Sequence, residues 1–189
     1  GLAMERVGRR DDAVAYFREA IRRDPRCMIA HCHLGQMMIV SGRYDEADEH
    51  LSEALRLSPD NSIVLDNQGV LLQKVHRPRE AEAKLREALK ISPSYPLAME
   101  HLGVVLTTLG KSGEAVELLT RCVQLDPNSP TARENLAMAR EARGMELLGE
   151  NRNDEALQQM RAAAESLHRR ARARWGLGTA LEKCGRLEE

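Results

Sequence analysis

Residues 28–61 read MIAHCHLGQMMIVSGRYDEADEHLSEALRLSPDN, and residues 62–95 read SIVLDNQGVLLQKVHRPREAEAKLREALKISPSY. Aligned without a gap, the two stretches place Gly35 over Gly69, Ala47 over Ala81 and Pro59 over Pro93. The lanes continue through Gly103, Ala115 and Pro127, and backward to Ala13 and Pro25, always 34 residues apart. The step from Gly144 to Gly178 repeats the same interval. A period of about 20–50 residues marks an array in which each unit buries its apolar face on the next.

Within a unit the apolar residues follow a helical period that breaks once. His31, Leu34, Gly35 and Met38 fall three and four apart and share the inward face of a first helix. Gly42 follows, where a left-handed backbone is tolerated, and Asp45 or a neighbour is expected to cap the second helix. Ala47, Leu51, Ala54 and Leu55 stripe that helix, and Pro59 ends it. Gly35 and Ala47 are small enough to let the two helices approach closely. The expected fold is all-α, an α-solenoid of antiparallel helical hairpins.

These residues resemble the tetratricopeptide repeat family. Leu34-Gly35, Leu102-Gly103 and Leu177-Gly178 match its central dipeptide, Ala13 and Phe17 its Ala-x-x-x-aromatic step, and Ala20, Ala54 and Ala88 its second alanine. His31, Leu65, Met99, Leu51 and Leu85 stand where the family carries aromatics, Gln68 replaces a leucine, Cys122 replaces an alanine, and Trp175 lies one residue out of register. The resemblance implies a right-handed superhelix whose first helices line a concave groove. The whole chain, 1–189, reads as one array: a partial repeat 1–27, repeats 28–61, 62–95 and 96–129, a lengthened repeat 130–170 and a partial repeat 171–189. Ala115 to Ala156 spans seven residues more than one period, almost two helical turns, and these are assigned to a longer first helix. The start at Gly1 and stop at Glu189 read as truncations.

The outward stripe of the first helices holds Ile29, Cys32, His33, Gln36 and Val40, then Ile63, Asp66, Asn67, Val70 and Lys74. It continues with Leu97, Glu100, His101, Val104 and Thr108, and with Thr131, Glu134, Asn135, Met138 and Ala142. His33, Asn67, His101 and Asn135 can donate and accept hydrogen bonds and so suit the amides of an extended peptide; an ordinary solvated face has the same composition. Asp66, Glu100 and Glu134 form an acidic lane, which favours a basic or neutral ligand or serves solubility alone. Relatives that clamp a terminal carboxylate use basic residues and asparagine there, so no such clamp is expected. Val70, Val104 and Met138 give an apolar lane, open either to a partner or to packing within the chain. With Gln36, these are the candidate peptide-binding residues.

The balance of 28 Lys and Arg against 29 Asp and Glu gives a net charge of −1 and no general drive toward nucleic acid or membrane. Arg161, His168, Arg169, Arg170, Arg172 and Arg174 cluster, but Trp175 alone could stack on a base, and a solvated junction is expected. No membrane insertion is expected from the sequence. Cys27, Cys32, Cys122 and Cys184 show no CxxC pair and read as reduced thiols in a cytoplasmic chain. Cys27, His31, Cys32 and His33 do not read as a metal site, because His31 and His33 point to different sides of a helix. No catalytic residue, cofactor or metal is expected, since phosphate-loop, HExxH, GxSxG and dinucleotide motifs are absent from the sequence. The expected function is a protein interaction scaffold holding an extended peptide or partner helix in its groove. Two alternatives are a substrate-presenting or regulatory region of a larger enzyme such as a glycosyltransferase, and self-association through the incomplete end repeats at Leu2, Met4, Leu177 and Leu181.

Overall fold

A computed structural model describes residues 10–166 together with 178, 181 and 182. The described residues are helical or in short turns, without strand. They divide into two compact units, Gly1–Pro93 and Ser94–Glu189. The first contains α1 (Arg10–Arg23), α2 (Met28–Val40), α3 (Tyr44–Leu57), α4 (Ser62–Lys74) and α5 (Pro78–Ile91). The second contains α6 (Pro96–Thr108), α7 (Ser112–Leu125), α8 (Pro130–Gly149) and α9 (Asn153–Ser166). Successive helices pair as hairpins, α2 with α3 and α4 with α5 in the first unit, α6 with α7 and α8 with α9 in the second.

Each hairpin closes by the same backbone device. Gly42, His76, Gly110 and Asn151 take φ values of 73°, 60°, 72° and 60°, the left-handed conformation that ends a helix. The next residue then reaches back five positions: Arg43 N–H to the Met38 carbonyl at 2.9 Å, Arg77 to Leu72 at 2.8 Å, Lys111 to Leu106 and Arg152 to Leu147 at 2.9 Å each. These bonds occupy carbonyls that a helix end would otherwise leave bare.

The second helices are not capped as the sequence led one to expect. Arg43, Arg77 and Lys111 hold the cap position of α3, α5 and α7, and none supplies a side-chain cap bond. Asp45 instead lies inside α3, in its first turn. Arg43 pairs with Glu46, and Arg77 with Glu80 at 2.6 Å. Arg152 and Glu155 repeat the arrangement at 2.6 Å at the start of α9. The carboxylate in the first turn complements the positive end of the helix, which is how these helices start without a hydroxyl or amide cap. Among the first helices, the Asn61 side chain accepts from the Ile63 and Val64 amides at 3.0 and 3.1 Å, and Pro96 and Pro130 open α6 and α8, as Pro78 opens the second helix α5.

Inside each hairpin a glycine faces a large side chain. A Cβ added at Gly35, Gly69 or Gly103 would lie 2.5 Å from the Cγ of Leu51, Leu85 or Leu119 respectively. Those three leucines, and Ala47, Ala81 and Ala115 one turn earlier, are completely buried. In the last hairpin Gly144 faces Met160, with 2.7 Å to its Cγ. The glycine lane is therefore a requirement of helix spacing in a close-packed interior.

α8 has 20 residues where α2, α4 and α6 have 13. The difference of seven equals the excess in the sequence period, so the additional turns continue the helix. Leu147 and Leu148 at its far end pack with Ala156, Leu157 and Met160, and Leu181 is half-buried against them. Leu2, Met4 and Leu177 lie outside the described residues, as do Trp175 and, of the basic cluster, all but Arg161.

Candidate functional site

In the first unit the outward stripe divides into open and closed positions. Ile29 on α2 and Ile63 on α4 are 55% and 53% exposed, and Gln36, Val40 and Lys74 are also exposed. Cys32, Asp66 and Asn67 were expected on the same open stripe, yet they are buried, Asp66 with 2% and Asn67 with 7% exposure. The cause is contact between α2 and α4, the first helices of successive hairpins. Asn67 Nδ2 donates to Cys32 Sγ at 3.3 Å across that seam. Burial pushes the Cys32 thiol up, opposed by the Asn67 bond and assisted by the charge of Asp66. Val70 is half-buried against the core of this unit.

His33 is half-buried because its ring lies flat on Phe17 of α1, with centroids 5.1 Å apart and planes 9° from parallel. His31, two residues earlier, turns the other way and meets His50 and the Pro25 carbonyl. The two histidines thus serve separate contacts. Among the described residues no three His, Cys, Asp or Glu side chains converge as metal donors.

In the second unit Leu97 on α6 is 51% exposed, and Thr108, Thr131 and Met138 are exposed with it. Glu100, also expected on the open stripe, is buried where α6 meets α8. Its carboxylate accepts from the Ser129 hydroxyl at 3.1 Å, while the same hydroxyl oxygen accepts from the Ala132 amide at 3.1 Å and caps α8. His101, Val104, Glu134, Asn135 and Ala142 are half-buried. Burial and the charges of Glu100 and Asp126 push the Cys122 thiol up to about 11, and its Sγ lies 3.5 Å from the Pro96 carbonyl oxygen. Cys27, Cys32 and Cys122 are free thiols, and Cys184 lies outside the described residues.

The residues grouped as one hydrogen-bonding lane, one acidic lane and one apolar lane are therefore unequal. Asn67, Asp66 and Glu100 belong to seams between first helices, His33 is covered by a ring, and Gln36 and Met138 are open. The most regular open feature is a different repeat position, held by Ile29 and Ile63 at the start of α2 and α4 in the first unit and by Leu97 at the start of α6 in the second. It was not singled out among the candidate residues, although three aliphatic side chains at 34-residue spacing on an outward stripe are visible in the sequence. Such side chains offer apolar contact beside exposed polar groups, the composition of a recognition surface. Among the described residues no helix is long and apolar enough to cross a membrane.

Solved structures of similar fold cover nearly the whole chain. A crystal structure of YrrB, described as a tetratricopeptide repeat protein with an unusual peptide-binding site, aligns over 92% of this chain and 86% of its own, with 21% identity and a TM-score of 0.70. PilF of Pseudomonas aeruginosa aligns over 100% and 84%, with 25% identity and a TM-score of 0.73. PilW, described as a widely conserved type IV pilus biogenesis factor, aligns over 99% and 85%, with 21% identity and a TM-score of 0.76. No curated protein sequence matches the chain. The family model for the tetratricopeptide repeat matches residues 1–62, 67–130 and 141–189. With its glycine-faced hairpins and their common turn, the chain belongs to the tetratricopeptide repeat family.

Proposed function

We propose that this chain is a non-catalytic interaction scaffold whose first helices bind an extended peptide or the apolar edge of a partner helix. The observation that carries the reading is the recurrence of a half-exposed aliphatic side chain at one repeat position, Ile29 and Ile63 in the first unit and Leu97 in the second. Large aliphatic groups held in water at equivalent places favour a partner that covers them. Gln36 in the first unit and Asn135 in the second each stand at an outward repeat position of their own helix and carry groups that suit main-chain amides. Asp66 and Asn67 serve the first unit, and Glu100 the second, by fixing the first helices on which these side chains stand. The peptide-binding site described for YrrB supports the ligand class.

The test is selection of a randomised peptide library on the intact chain, followed by titration of the selected peptides against Ile29→Glu, Ile63→Glu and Leu97→Glu. Ile91→Glu, on the second helix α5 and 40% exposed, serves as the control for an added charge. Loss of binding of about tenfold or more in at least one lane variant, corresponding to about 1.4 kcal/mol, is expected while circular dichroism stays native. Peptides that bind all three variants as they bind the unaltered chain would remove the proposal.

A further inference from the structure

Two imidazoles meet inside the first hairpin. His31 Nδ1 on α2 and His50 Nδ1 on α3 are 3.2 Å apart, and His31 Nε2 is 3.2 Å from the Pro25 carbonyl oxygen in the turn before α2. His31 is 8% exposed and His50 half-buried, with ring centroids 5.3 Å apart. The chemistry of the contacts fixes the protons. A carbonyl only accepts, so His31 Nε2 carries a hydrogen; neutral His31 then has a bare Nδ1, and His50 donates its Nδ1–H to it. One lone pair remains in the pair, on His50 Nε2.

A first proton adds there without breaking either bond, although burial and the neighbouring His31 disfavour it. A second proton has only His31 Nδ1 to occupy. It would set two N–H groups against each other across 3.2 Å and place two positive rings in contact. The charges around the pair come from several sides. Glu46 and Glu49 lie on α3 beside His50, Glu53 lies farther along α3 within reach of the His31 charge, and Arg18 approaches from α1. Arg26 stands in the turn before α2, and Asp66 of α4 acts on Cys32 instead. Burial, then His31, hold the protonation of His50 below the usual histidine range, with Glu49 and Glu46 opposing and Arg18 assisting.

We propose that His31 and His50 form an acid-sensitive latch tying the 24–27 turn and α2 to α3, closed with zero or one proton and opened by the second. The open form binds two protons and the closed form at most one, so acidification favours opening. The stabilisation is complete above the ordinary histidine value of about 6.5 and is lost as pH falls below it. α2 also carries Ile29 and Gln36 outward, so opening loosens a helix of the proposed binding face; the latch itself does not depend on that function.

The test uses the full chain. Long-range proton–nitrogen spectra at pH 7.5 should place hydrogens on His31 Nε2 and His50 Nδ1. Amide exchange of residues 28–34, corrected for intrinsic rates, should lose about tenfold or more in protection between pH 7 and pH 5, since an open form that binds one proton more gains up to tenfold per pH unit below the histidine range. His31→Phe, which keeps the buried site filled, should flatten that dependence, and His50→Leu provides a second variant should the first not fold. Opposite tautomers, or an acid loss of protection equal in unaltered chain and variant, would overturn the proposal.

Discussion

Asn67 Nδ2 donates a hydrogen bond to Cys32 Sγ at 3.3 Å, so a side chain suited to peptide amides is used to join two first helices of the first unit. Asn67 is 7% exposed. Its truncation leaves the thiol without its donor and opens the seam, and Asn67→Ala is expected to destabilise the chain by about 1 kcal/mol, the net worth of a typical internal hydrogen bond. Asn135, at the equivalent repeat position but half-buried, should change stability by less than half as much when cut to alanine. Urea unfolding midpoints of the two variants measure the difference.

Which features were legible follows from what repeats. The glycine opposite a leucine and the seven added residues of α8 are properties of one chain segment or one hairpin, and the 34-residue spacing exposes them directly. Of the turn residues only Gly42 was legible, because His76 and Asn151 take the same conformation without being glycine. Burial of Cys32, Asp66, Asn67 and Glu100 depends on contact between separate hairpins, which periodicity along one helix does not encode. The caps were misread for a related reason. Asp45 has the right chemistry, yet the reach from Arg43 to the Met38 carbonyl fixes where α3 begins and puts the acid inside it.

The glycine lane gives a prediction of sign and size. A methyl group at residue 103 would sit 2.5 Å from Leu119 Cγ and 2.6 to 2.7 Å from both its Cδ atoms, so the whole leucine must move. Leu119 is completely buried and has no open side to move toward. Gly103→Ala therefore loses about 1–3 kcal/mol through overpacking, more than the helix propensity of alanine returns. Thermal unfolding would show it, and unchanged stability would contradict the close approach of α6 and α7.

The turn lane gives the opposite sign. His76 and Asn151 hold φ near 60°, where Gly42 and Gly110 stand in the other two hairpins. A side chain with a Cβ is disfavoured there by about 1–2 kcal/mol, less for asparagine. His76→Gly should stabilise the first unit by roughly 0.5–1 kcal/mol after the entropy of the unfolded glycine is deducted, and Asn151→Gly by less. Chemical denaturation of the single variants checks the order.

Thiol chemistry separates the cysteines. With burial holding the Cys122 thiol up at about 11, very little thiolate forms at pH 8, and Cys32 is shifted the same way. Both should react with iodoacetamide far more slowly in the native chain than after unfolding in urea. The linkage runs against folding in alkali. The unfolded thiol releases its proton from about pH 8.5, so stability from Cys122 declines as pH rises from there toward about 11. Cys122→Ala should reduce that alkaline slope.

Ser129 carries two bonds with one hydroxyl, donating to Glu100 at 3.1 Å and accepting from the Ala132 amide at 3.1 Å. Ser129→Ala removes the cap of α8 and leaves a buried carboxylate without that donor. Loss of a cap alone is about 1 kcal/mol, and the stranded acid adds about 1–3 kcal/mol. Glu100→Gln keeps an acceptor oxygen for the hydroxyl and carries no charge, so in the Glu100→Gln background Ser129→Ala should cost less than in the native chain. A double-mutant cycle measures the coupling directly. If the two substitutions simply add, the hydroxyl serves α8 alone and Glu100 is held at the seam by other contacts.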